Sequence, residues 1–156
     1  MTNNDVLRRI RYIFDYGDDK MIALFAAADC EVTREQVSNW LKKEDAEDYK
    51  ALGDLQLATF LNGLIIDQRG RKEGAQPVAE AKLTNNIIFR KLKIALDFKD
   101  DDILAILKLA DLRLSRHELS AFFRKLGHKH YRECKDQVLR NFMNGLQIKH
   151  RGESGD

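Results

Sequence analysis

The chain has 156 residues, of which 44% are apolar and 33% charged, with one proline, nine glycines and a formal net charge of +2. This balance excludes collagen-like and disordered classes and suits one ordinary domain or two small ones. No apolar run approaches the ~18 residues of a spanning helix and the N-terminus is polar where a signal peptide would be apolar, so no membrane contact is expected and the cytosol is the expected compartment. Cys30 and Cys134 are then expected as reduced thiols.

In chain order, Asn4 is placed to cap a first helix, with Asp5 in its electropositive first turn and Val6, Leu7, Ile10, Ile13 and Phe14 at helical spacing, running to about Asp15. Asp18 caps a second helix, whose apolar members are Met21, Ile22, Leu24 and Phe25. Thr33 with Gln36 fits a capping box, in which two side chains reciprocally satisfy two backbone N–H groups, and opens a third helix burying Val37, Trp40 and Leu41. After a polar loop around Tyr49, Asp54 caps a fourth helix carrying Leu57, Phe60, Leu61, Leu64 and Ile65, and Gly70 stops it. Residues 71–83 hold the only proline and read as a linker.

The same series then recurs. Shifting the chain by 82 residues aligns Thr2 through Gly70 with Thr84 through Gly152 without a gap, and 23 of the 69 positions are identical. Asp100 with Asp101 and Asp102, the Ser115–Glu118 box, Leu119, Phe122 and Phe123, Asp136 and Gly152 repeat the roles just described. The expected fold is therefore all-α: two tandem copies of a four-helix repeat at 1–70 and 84–152, followed by a tail at 153–156. A pseudo-two-fold pairing of the halves is the natural arrangement.

The T-N-N start, the D-D step before an apolar helix, TREQVSNWLKKED, and F-L-N-G-L or F-M-N-G-L closing on R-G together resemble the YehS-like family, small bacterial proteins with two copies of a domain of unknown function. The resemblance spans essentially the whole chain. It implies no catalytic residue.

Several features are candidates for function. The first is Asn62–Gly63, matched by Asn144–Gly145: a mid-helix glycine costs ~1 kcal/mol relative to alanine, so each copy needs a compensating reason, either close approach of another helix or contact with a partner. The second is charge, with residues 1–70 at net −4 and residues 84–156 at net +5, and all four histidines in the latter. Complementary halves that dock on each other account for this, as does a basic half that meets nucleic acid. The third is a helix-turn-helix-like segment at 21–43, in which Gln36, Asn39 and Lys43 would be the base or phosphate contacts, although Glu31 stands where the turn favours glycine and a packed helical corner explains the same letters. The basic edge Arg90, Lys91 and Lys93 is a further phosphate-contact candidate. The fourth is His128, His130 and Cys134, weak zinc candidates because structural sites show tighter paired spacing; no metal and no cofactor is expected.

No nucleophile elbow, phosphate loop, dinucleotide fingerprint or paired zinc-ligand motif occurs, so an enzyme is not expected. The expected function is a small interaction or adaptor protein with a protein partner, with nucleic-acid binding by the basic repeat as the alternative.

Overall fold

The computed structural model describes residues 1–152; the expected tail at 153–156 lies outside the described residues. Among the described residues there are eight helices and no strand: α1 (Asn3–Ile13), α2 (Asp18–Ala27), α3 (Arg34–Leu41), α4 (Asp54–Arg69), α5 (Asn85–Ala95), α6 (Asp100–Leu109), α7 (Arg116–Ala121) and α8 (Asp136–Arg151). The chain forms two compact units, Met1–Leu83 and a second that begins at Thr84. Each holds four helices in the same order, and with the 82-residue shift three of the four helix pairs coincide residue for residue. Only α7 differs, ending two residues earlier than α3.

Within each unit the last, longest helix is the axis. In the first, α4 packs chiefly on α2, while α3 rests on α2 and α1 crosses both α3 and α4. Leu57, Ala58 and Phe60 through Leu64 are all buried, because α4 is enclosed along its middle rather than on one stripe. The enclosure explains the mid-helix glycines. A Cβ on Gly63 would lie 1.7 Å from the Leu24 carbonyl oxygen of α2, and one on Gly145 would lie 2.1 Å from the Ile106 carbonyl of α6, the equivalent position. Backbone touches backbone in both units, so close helix approach is the compensating reason that each glycine required.

The two cores are filled by different letters. In the first unit Phe25 of α2 is the aromatic centre, with ring centroids 5.4 Å from Trp40 and 5.2 Å from Phe60. In the second that centre is Phe89 of α5, 5.0 Å from Phe123 and 4.8 Å from Phe142. Leu7 and Phe25 of one repeat are equivalent in sequence to Phe89 and Leu107 of the other: the large ring stands on the second helix in one and on the first in the other, and the leucine the opposite way. All four side chains are fully buried. Such volume-conserving exchanges are the core changes best tolerated.

The non-helical segment between the third and fourth helices is held by an asparagine. Asn4 is only 2% exposed. Its amide donates to the carbonyls of Trp40 and Lys50, both at 2.9 Å, and its Oδ1 accepts the Leu52 N–H at 3.0 Å and the Tyr49 hydroxyl at 3.1 Å. Four bonds exhaust what an asparagine side chain offers as two donors and one two-lone-pair acceptor. Asn86 repeats this on Phe122, Arg132 and the Cys134 N–H. The preceding residue fastens the other end: Asn3 donates to the Leu52 carbonyl and to Asp54, and Asn85 to the Cys134 carbonyl and Asp136. Asn3, followed by the Leu83 N–H, holds the Asp54 carboxyl below its ordinary range.

Helix starts therefore fall earlier than the sequence reading placed them. Asn4 is inside α1, and Thr2 is its cap, forming a reciprocal box with Asp5. Asp18, Asp54 and Asp136 occupy the first helical turn after Gly17, Gly53 and Lys135, still favoured there by the helix dipole. The first helix stops at Ile13 rather than Asp15, because Asp15 takes a left-handed conformation at φ 54°, as does Asp97 in the second unit. The boxes at Thr33–Gln36 and Ser115–Glu118 form as expected, and Gly70 and Gly152 close their helices at positive φ. Residues 71–83 contain no helix; Arg71 bonds Ala27 and Asp29, and the Leu83 N–H bonds Asp54, so the segment lies along the first unit.

Replacing Asn4 by Ala strands several buried backbone groups and is expected to lower the stability of the first unit by about 3 kcal/mol or more in urea denaturation. Gly63→Ala and Gly145→Ala are each expected to lose at least about 3 kcal/mol despite gaining ~1 kcal/mol of helix propensity, because the obstacle is backbone. A loss under about 1 kcal/mol in either would show that α2 or α6 yields freely.

Candidate functional site

Most of the polar residues singled out in the sequence have internal duties. Gly63 and Gly145 sit against α2 and α6 as described. Asn62 is buried and lines a small hollow of about 90 Å3 with Ala28, Thr59 and Ile66, roofed by Gln76 and Pro77 of the chain's own 71–83 segment. Asn144 is half-buried on α8. Gln36 closes the α3 capping box through its Oε1, and the Asn39 side chain accepts from Lys42 while its carbonyl accepts from Lys50. Lys43 is exposed. The connection between α2 and α3 is six residues, Ala28 to Thr33, against the three to four of a helix-turn-helix. The α2–α3 connection is thus longer than the turn of that motif, with α3 packed on α2.

The basic edge of α5 is also largely committed. Lys91 is buried at 8% exposure, and Lys93 donates to Asp100 at 3.1 Å while its ammonium lies 4.5 Å from the Phe123 ring centroid. Arg90 alone of the three is exposed. The proposed His–Cys set is not assembled either. Cys134 is buried at 1% exposure, whereas His128 and His130 are exposed, and among the described residues no group of three or more His, Cys, Asp or Glu side chains is placed to share a metal ion.

What the structure does gather is the loop after α7. Residues 124–132 read RKLGHKHYR, while their equivalents 42–50 read KKEDAEDYK. The first has four Lys or Arg, two His and no acid; the second has three Lys and four acids. The loop supplies five of the eleven charges that separate residues 1–70 at net −4 from residues 84–152 at net +7. In the first unit Lys42 pairs with Asp48 across the loop, an option the second loop lacks. Two tight turns shape it, closed by His128 N–H to the Lys125 carbonyl at 3.0 Å and Tyr131 N–H to the His128 carbonyl at 2.9 Å, with Gly127 at φ 92° supplying the left-handed step. Asn86 and the Ala121 carbonyl, each bonded to the Arg132 backbone, fix its far end. Residues 124–130 are all exposed, Leu126 at 85%.

The histidines join this loop to α7. The His117 and His130 rings lie 5.9 Å apart and the His128 and His130 rings 5.5 Å apart. His130 N–H donates to His128 Nδ1 at 3.0 Å, which leaves Nε2 as the protonated nitrogen of a neutral His128. Beside them opens a cavity of about 350 Å3, with Leu114, Ala121 and Phe122 as its apolar lining and His117, His130 and Arg132 as its basic lining. Glu118 also borders it; the Ser115 N–H bonds its carboxylate and holds its pKa below the ordinary range. Sequence reading missed this assembly, although the signal was present: the two loops had only to be compared letter by letter along the repeat.

Burial pushes the Cys134 thiol up to about 12. Since the thiolate is the reactive form, Cys30 is expected to react with a chromogenic disulfide reagent around pH 8 and Cys134 only once denaturant is added. Prompt labelling of both in native protein would show that the Asn86-held segment opens.

No helix among the described residues is long and apolar enough to cross a membrane. The family model described as "Protein of unknown function (DUF1456)" matches residues 3–70 and again residues 85–152, the two four-helix blocks. An "Uncharacterized protein YehS" of Escherichia coli (strain K12) is 42% identical over 156 residues, covering 99% of this chain and 100% of that protein. No solved structure matches the chain. With two domain matches that fall on the two folded repeats, and similarity along nearly its whole length, the chain belongs to the DUF1456 family.

Proposed function

We propose that the protein is a small non-enzymatic interaction protein whose second repeat grips a nucleic-acid phosphate backbone through loop 124–132. The observation that carries this is the replacement of a mixed, internally paired loop by an exposed one with Arg124, Lys125, Lys129 and Arg132 and no acid, on a backbone that is otherwise repeated. Cations held on a fixed loop with no carboxylate partner within it are suited to displacing condensed counterions from a polyanion. A protein partner docked on an apolar face has less support. The exposed large apolar residues Tyr12, Leu55, Val78, Ile94, Leu109 and Leu126 fall on six different segments rather than on one helix face.

The test is fluorescence anisotropy with labelled mixed-sequence DNA and RNA across a salt series. With about four phosphates neutralised, the affinity is expected to fall with a log–log slope of roughly −3 to −4. Combined reversal of Arg124, Lys125 and Lys129 to Glu is expected to abolish binding, while Lys43→Glu in the first repeat leaves it nearly unchanged. Absence of binding at low salt, or full retention of it by the triple variant, overturns the reading.

A further inference from the structure

We infer that the cavity between α7 and loop 124–132 is a binding site for a small phosphate monoester with an aromatic or apolar body. The inference goes beyond the polyanion reading, since it concerns a small ligand in a cavity that shares only Arg132 with the four cations of that surface and is tested at His130 and Ala121. Its support is the direction in which the lining changes between the two repeats. Asn39 and Trp40 of the first unit become Ala121 and Phe122, each a loss of bulk, and α7 stops two residues short of its counterpart; together these make room. Glu35 and Asp48 become His117 and His130, so two carboxylates give way to two imidazoles, and Lys50 becomes Arg132. Five of the seven lining changes act toward one end, space with an apolar wall and nitrogen donors on His117, His130 and Arg132 at its edge. The other two, Val32 to Leu114 and Gln36 to Glu118, add bulk and a carboxylate.

The chemistry fits a tetrahedral oxyanion on a hydrophobic body. The His117 and His130 rings, with centroids 5.9 Å apart, both line the cavity, and an imidazole N–H is a donor suited to a phosphate oxygen. A guanidinium offers five donors in a planar fork that matches phosphate oxygens, and Arg132 has one of them engaged at the Tyr131 carbonyl. The neighbouring carboxylate, Glu118, is bonded to the Ser115 amide. A volume of about 350 Å3 lies at the lower end of small-molecule pockets. Phe122 supplies a face on which an aromatic body can pack.

Phenyl phosphate and inorganic phosphate are the probes, followed by amide NMR on the full-length protein. Phenyl phosphate is expected to bind saturably below about 1 mM, at least about fivefold tighter than inorganic phosphate, with shifts centred on residues 115–122 and 130–132. His130→Asp and Ala121→Asn, which restore the first-repeat residues, are each expected to weaken it by more than about tenfold, whereas the Arg124, Lys125 and Lys129 triple reversal changes it by no more than about threefold. Should Ala121→Asn fail to fold, His130→Asp decides. No saturable shift at about 10 mM probe, or equal affinity in wild type and His130→Asp, overturns the inference. Loss of nucleic-acid binding in the triple variant with phenyl phosphate binding intact separates this site from the polyanion surface.

Discussion

Each repeat depends on one buried asparagine. The segment between the third and fourth helices has no helix of its own, so its carbonyls and N–H groups would be stranded beneath α1 or α5 without a partner. Asn4 and Asn86 supply that partner from the first turn of the opening helix, bonding the end of the third helix and the approach to the fourth at once. A buried polar network of this kind stabilises only when complete, because each missing bond leaves a desolvated group. This is the physical content of the T-N-N motif: threonine caps the first unit's opening helix, the first asparagine ties it to the fourth helix's leading aspartate, and the second holds the intervening chain.

Around that fixed point the repeats have diverged in ways that packing permits. The ring at the centre of the core has exchanged helices between Phe25 and Phe89, with Leu7 and Leu107 making the reverse change. The glycines of α4 and α8 have not been free to change in this way, since the neighbour at 1.7 Å and 2.1 Å from a hypothetical Cβ is a carbonyl oxygen of the next helix rather than a side chain that could turn aside. Side-chain volume can be relocated within a core, whereas backbone contact cannot.

Surface divergence is concentrated where the backbone is already held by other residues. Loop 124–132 is pinned at its end by Asn86 and Ala121 and at its turn by Gly127, so the exposed side chains of Arg124, Lys125 and Lys129 are little constrained by the fold. The same freedom produced the cavity: α7 ends early, and Ala121 leaves a space where the first repeat has Asn39. Pinned backbone with unconstrained side chains is the usual setting for binding residues.

The sequence by itself determined the helical class, the repeat and its 82-residue period, the capping boxes and the helix stops at Gly70 and Gly152, because capping chemistry and apolar spacing act over a few residues and are written locally. It also marked Asn62–Gly63 as requiring explanation. Only the tertiary structure decided that Asn4 is a buried tether rather than a cap, that Lys91 is buried and Lys93 paired, that Cys134 lies apart from the exposed histidines, and that His117 joins His130 and Arg132 around one cavity. Those outcomes depend on which backbone groups need partners after the helices pack and on residues brought together from distant segments. Local pattern carries no record of either.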